Sequence, residues 1–239
     1  MGTDLEMKMT LRSRLACSGL LLCCALLVGC GNSTEADQSK NMIAGMKVLA
    51  GSVAKFGQKR TNPNVDAATL ASLRKILVQV GKPILSVTVK KTSYANMMTP
   101  YGQNRNVQTW ASGTPETVSL RDGILVATRG FGPDMMTSEA PDLSQVRDAS
   151  GGFHRIYYYL DGGDRPQSLG FDCRYEAGGP DSVTVVGLSY ATHRVTEDCA
   201  NPIYQFQNVY WFDGSGKLRQ SDQFVSLELA YMRLQRVID

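Results

Sequence analysis

The chain has 239 residues, 43% of them hydrophobic and 20% charged, with a formal net charge of +3. That composition excludes a collagen, a low-complexity disordered chain and a cysteine-dense mini-protein, and it leaves room for one or two domains with a real core. So small a positive excess gives no case for a nucleic-acid partner, which needs a concentrated basic face.

The first residues read as a processing signal. Lys8, Arg12 and Arg14 form a charged start, and an apolar run follows from Leu15 to Val28, broken only by Ser18 and Gly19. About 14 apolar residues fall short of the roughly 20 that a membrane-spanning helix needs. The run ends Leu27-Val28-Gly29-Cys30, which resembles the bacterial lipobox. The resemblance implies cleavage before Cys30, a diacylglycerol thioether on its sulfur, and acylation of the new amino terminus by palmitate or a similar chain. Two or more acyl chains give stable anchoring where one gives only marginal binding. Gly31, rather than an aspartate, follows the cysteine. In an enteric-type bacterium that favours the outer membrane, with the domain facing the periplasm.

Residues 1–29 are therefore expected to be a lipoprotein signal peptide. Residues 30–40 read as a lipidated, flexible tether without a large apolar side chain. Residues 41–239 read as a single domain. Met42, Met46, Leu49, Val53 and Phe56 recur at helical spacing and predict a helix over about 42–57. Asp66 is placed to cap a second helix over about 66–80, with Val65 and Leu70 as a hydrophobic staple. Leu70, Leu73, Ile76, Leu77 and Val80 form its apolar face, and Gly81 and Pro83 supply the stop.

From residue 84 the period changes. Ile84–Lys90, Val107–Ala111, Thr117–Leu120, Ile124–Thr128, Arg155–Leu160, Leu169–Tyr175, Ser182–Tyr190, Tyr204–Phe212, Lys217–Phe224 and Leu227–Val237 read as strands. The last segment also fits a helix. Arg121-Asp122-Gly123 and Asp213-Gly214-Ser215-Gly216 are hairpin-turn signals, and Gly151-Gly152 and Asp161–Asp164 read as loops. No strand–helix alternation appears, so the expected fold is mainly β: an antiparallel, barrel-like domain with one or two N-terminal helices.

Candidates for chemistry are few. Cys17, Cys23 and Cys24 lie in the segment to be removed, and Cys30 takes the lipid. Cys173 and Cys199 remain, and outside the cytoplasm a pair of this kind forms a disulfide. The alternative, a metal site shared with His154 and His193, lacks any close-spaced ligand pair. Asp161 and Asp164 are a possible carboxylate pair, but a Gly-rich turn accounts for them. There is no nucleophile elbow, Walker loop or dinucleotide fingerprint. Neither a catalytic residue nor a cofactor is expected. Aromatic rows on two strands, with Tyr157 and Tyr159 on one and Trp211 on another, join Trp110 as possible glycan- or partner-binding groups. A row facing solvent would stack on sugars or meet a partner, whereas a row facing inward would fill the barrel.

Two segments carry a family resemblance. The first is Trp110-Ala111-Ser112, then Gly123-Ile124-Leu125-Val126-Ala127-Thr128-Arg129-Gly130-Phe131, then Asp134-Met135. The second is Glu197, Asn208-Val209-Tyr210-Trp211, Gly216 and Ser221-Asp222-Gln223. Together they resemble the YjbF/GfcB lipoproteins, over about residues 84–239. The resemblance implies a mainly β, barrel-like fold and a role in group 4 capsule or exopolysaccharide assembly. It also implies contact with polysaccharide or export-machinery proteins, as a non-enzymatic accessory. It brings no catalytic residue. The alternatives from the residues alone are a periplasmic polysaccharide-modifying enzyme and a purely structural envelope lipoprotein.

Overall fold

The computed structural model describes residues 66–92 and 94–239. The expected signal peptide, the tether with Cys30 and the helix over 42–57 lie outside the described residues. Helix α1 (Ala67–Gln79) begins where the sequence places it. The Asp66 carboxylate accepts the Thr69 backbone N–H at 2.7 Å, and Gly81 ends the segment at φ +65°. No helix among the described residues is long and apolar enough to cross a membrane.

Twelve strands follow: β1 (Ile84–Val89), β2 (Tyr94–Asn104), β3 (Val107–Ala111), β4 (Thr117–Arg121), β5 (Ile124–Arg129), β6 (Thr137–Glu139), β7 (Gly152–Leu160), β8 (Pro166–Val185), β9 (Leu188–Ala200), β10 (Gln205–Asp213), β11 (Leu218–Ser226) and β12 (Ala230–Ile238). A short helix, α2 (Leu143–Arg147), lies between β6 and β7. All neighbours are antiparallel, and β1 pairs with β12, so the sheet runs β5-β4-β3-β2-β1-β12-β11-β10-β9-β8-β7-β6. Its two edges, β5 and β6, are consecutive in sequence and meet again. Thr128 N–H donates to the Met135 carbonyl at 2.9 Å, and the Ser138 hydroxyl donates to the Leu125 carbonyl at 3.4 Å. The sheet thus curls into a nearly closed barrel, which hides edges that would otherwise offer unpaired backbone groups.

The interior is aromatic and aliphatic. Phe206 stacks on Phe224 with ring centroids 4.3 Å apart, and Tyr157 meets Phe171, Phe206 and Phe224 edge-on. Met98, Leu125 and Leu234 complete the same core. A second, smaller core lies around α1. There Leu77 packs with Ile84, Val183, Val185 and Val237. The long β8–β9 hairpin reaches α1 through an irregularity between Ala177 and Pro180. Arg74 ties the layers together, donating to the Val185 and Val237 carbonyls at 3.0 and 2.8 Å.

Several segments differ from the sequence expectation, β6 and α2 among them, since the sequence predicts no element there. β2 was not expected, because Tyr94–Asn104 is largely polar and contains Pro100 and Gly102; the structure absorbs these at a register shift. The expected strand Ser182–Tyr190 is instead a hairpin, turning at Val186 (φ +46°) and Gly187 (φ +75°). Two positive φ values form a tight turn, and valine carries no signal for one. Gly152, expected in a loop, already pairs with Arg174. The ambiguous last segment is β12.

Candidate functional site

Strands β8 to β10 turn one face into the barrel and the other outward, and each face carries a separate polar arrangement. Inside the barrel, Arg155 and Glu197 form an ion pair with side chains 1% and 0% exposed. The pair is bidentate: Arg155 Nε donates to Glu197 Oε1 at 2.7 Å and Nη2 donates to Oε2 at 3.0 Å. Asn208 Nδ2 and the Tyr210 hydroxyl add bonds to Oε2 at 2.8 and 2.9 Å. Burial alone would lower the Arg155 pKa, but the Glu197 charge outweighs it and holds the guanidinium well above its ordinary value. Burial, reinforced by Glu197, holds the Tyr210 hydroxyl well above its ordinary value too. It pushes Tyr157, whose hydroxyl has no hydrogen-bond partner among the described residues, up to about 12.

The same network fastens the sheet. The Asn208 Oδ1 accepts the Phe224 N–H at 2.7 Å, ahead of Val209, where β10 and β11 begin to pair. Gln223 Oε1 accepts the Leu125 N–H at 2.9 Å, so a β11 side chain satisfies the edge of β5. Around Thr128–Met135, Asp134 accepts from the Thr128 hydroxyl at 2.9 Å and from the Gly130 N–H at 2.7 Å. Gly130 sits at φ +84°, and a Cβ there would lie 3.1 Å from Glu116 backbone. The motif residues Glu197, Asn208, Tyr210, Gln223, Thr128 and Asp134 therefore hold the barrel together. Sequence reasoning missed Arg155. The available signal was its period-two register with Tyr157 and Tyr159, which puts all three on one face.

Of the aromatic candidates, Trp110 and Tyr157 are buried in the main core, 3% and 1% exposed. Tyr159 is half-buried, and its hydroxyl donates to the Val225 carbonyl at 2.6 Å. Trp211 packs in the α1 core and donates from Nε1 to Asp181 at 2.8 Å. The four are not gathered on one open surface; Trp110 and Tyr157 fill the barrel. Cys173 and Cys199 are direct cross-strand partners on β8 and β9, and they form the disulfide with Cα atoms 4.0 Å apart. Glu197 lies close enough to both sulfurs to share an ion by residue type, but the sulfurs are bonded to each other and offer no thiolate. His193 stacks on Phe212 and His154 faces Asp172, so neither joins the cysteines. In the Asp161–Arg165 turn, Asp161 accepts the Gly163 and Arg165 N–H groups at 2.8 and 3.0 Å.

The outer face of the same strands carries an open groove of about 840 Å³. In register, Asp172 lies opposite Ala200, which lies opposite Gln205; Arg174 lies opposite Asp198, which lies opposite Gln207. Ala200 leaves a shallow floor between Asp172 and Gln205, beside the Arg174–Asp198–Gln207 row, and the turn starting at Asn201 closes one end. Asp172 is held by His154 Nδ1 at 2.7 Å and Asp198 by Gln207 Nε2 at 2.7 Å. Among the described residues, Arg174 makes no side-chain hydrogen bond or ion pair.

Comparison with known proteins agrees with this architecture. The crystal structure of the hypothetical lipoprotein YmcC from Escherichia coli K12 superposes with a TM-score of 0.62 at 12% identity, covering 76% of this chain and 98% of that one. At that identity the likeness shows the fold alone. Among curated proteins none is similar in sequence. The sequence profile described as "Group 4 capsule polysaccharide lipoprotein gfcB, YjbF" matches residues 65–237. That span takes in the whole barrel with its internal network, and the chain belongs to the YjbF family of capsule-associated lipoproteins.

Proposed function

We propose that this protein is a lipid-anchored, non-enzymatic accessory of capsule or exopolysaccharide assembly and export, held through Cys30 at the outer membrane and facing the periplasm. The observation that carries the reading is the capsule-lipoprotein family match over 65–237, on a chain whose own sequence supplies a lipobox. Motif residues such as Glu197, Asn208, Tyr210 and Gln223 work inside the barrel, and the outer surface is open to contact with polysaccharide or an export-machinery protein. Asp172 and Asp198 are the feature that a glycan-cleaving enzyme would share. The Asp172 side chain is 90% exposed and lies against His154 Nδ1 on an open surface, not in an enclosed cleft that would grip a scissile bond. Binding without cleavage is the reading that fits.

Deletion of the gene in a strain that makes the polymer tests this. Surface polysaccharide should fall sharply and return with the wild-type gene, and Cys30→Ser should fail to restore it while releasing the protein from the membrane fraction. Unchanged surface polymer in the deletion strain would refute the reading. Shortening of purified polymer on incubation with the protein would transfer the case to the enzyme.

A further inference from the structure

The groove over Ala200 has features that a plain sheet surface lacks. It is open to solvent, so a polymer can lie in it without presenting a chain end. Its planar polar groups are already oriented: His154 fixes Asp172, Gln207 fixes Asp198, and Asn201 donates to the Gly170 carbonyl at 3.1 Å. Each carboxylate keeps acceptor capacity facing outward, while Arg174 and the Gln205 amide offer donors. Beneath the floor, the Cys173–Cys199 bond joins the strands that carry Asp172, Arg174 and Asp198, so the spacing of the two rows is held covalently.

The charges narrow the ligand. Two carboxylates face one guanidinium, and the imidazole of His154 is already paired with Asp172. A polyanion would meet repulsion here, whereas sugar hydroxyls can donate to carboxylates and accept from Arg174 and Gln205 in the same contact. We propose that this groove is a binding subsite for an uncharged, hydroxyl-rich stretch of polysaccharide, contacted by Asp172, Arg174, Asp198, Gln205 and Gln207. The inference rests on the polysaccharide reading of the previous subsection and deepens it.

The test uses the mature full chain and oligosaccharides from the strain's own surface polymer, separated by charge into neutral and acidic pools. In amide NMR titrations the neutral pool should shift residues 172–174, 198–201 and 205–207. A double substitution, Asp198→Ala with Gln205→Ala, should weaken binding at least tenfold with the spectrum otherwise intact, and Gln103→Ala on β2 should leave it unchanged. Tighter binding of the acidic pool, shifts confined to another face, or no shifts at all would overturn the assignment. The two readings fail separately. If deleting the gene removes the surface polymer but the neutral pool leaves the groove amides unmoved, only this subsite is wrong. If deletion changes nothing, the function itself is wrong.

Discussion

The inner and outer faces of β8, β9 and β10 are built from the same three strands and differ by one step in register. Inward, Glu197, Asn208 and Tyr210 are at most 1% exposed and bonded to one another or to Arg155. Outward, Asp198, Gln205 and Gln207 stand in water around Ala200. A charge on the inner face has no solvent to fall back on, so its partners determine whether the fold survives. A charge on the outer face is solvated with or without partners and is free to serve a ligand. Glu197, Asn208 and Tyr210 thus sit where the barrel needs them, and Asp198 and Gln207, which face water, lie one position away in sequence.

Substitutions can break that contrast. The largest effect belongs to Glu197→Ala, which strands the buried Arg155 charge and should cost about 3–5 kcal/mol in denaturant unfolding. Replacing both partners by apolar residues, Arg155→Met with Glu197→Leu, should cost clearly less, because no orphaned charge remains. A double mutant no more stable than Glu197→Ala would show that the pair acts through something other than charge compensation.

Next comes the disulfide, which joins residues 26 apart in sequence. The chain-entropy model gives it up to about 3–4 kcal/mol. Cys173→Ala with Cys199→Ala should lower the unfolding free energy by that much or less, since β8 and β9 also pair along their length. The same variant should loosen any groove binding more than its stability loss explains, because it frees the floor while leaving every outward side chain in place.

A smaller effect is expected at Asp222, whose carboxylate accepts from Arg233 Nε at 2.7 Å and from Lys90 Nζ at 2.9 Å. Burial would raise its pKa, but those two cations outweigh burial and hold it below the ordinary 3.8. Since the folded value is depressed, the stability it contributes is present above the unfolded value near 3.8 and is lost as pH falls through the lower folded value. Asp222→Asn should therefore cost about 1–2 kcal/mol at neutral pH, with allowance for the exposed cations. Its stability should also decline less steeply than wild type as pH drops below 3.8. Parallel acid profiles for the two proteins would show that the carboxylate is not the titrating element.

The smallest effect on stability should come from the outer face. Asp198→Ala and Gln205→Ala should each change unfolding free energy by no more than about 0.5 kcal/mol. A loss above about 2 kcal/mol at either position would erase the distinction between the faces.

Much of this molecule was legible in the chain because its signals are local. Asp66 capped α1 where expected, since an aspartate before a run of helix formers needs only its own next three residues. The turn at Asp122-Gly123, with φ of +53° and +100°, was readable from two residues whose side chains favour that conformation. The equivalent turn at Val186-Gly187 was not. Its valine looks like strand, and only the packing of Val183 and Val185 on Leu77 and Val237 makes the hairpin bend there. β2 stayed hidden for a related reason: its polar residues gain strand geometry from β1 and β3 on either side, not from their own propensity.

By itself the sequence established a mainly β, antiparallel domain, the resemblance to a lipoprotein family, and two cysteines suited to pairing, because period, turn chemistry and residue type are short-range properties. Tertiary structure decided which face each strand turns inward. It placed Trp110 and Tyr157 in the core, buried Arg155 against Glu197, and left Asp172, Arg174 and Asp198 around an open groove. Alternation tells a reader that two faces exist; only closure of the sheet decides which of them meets water.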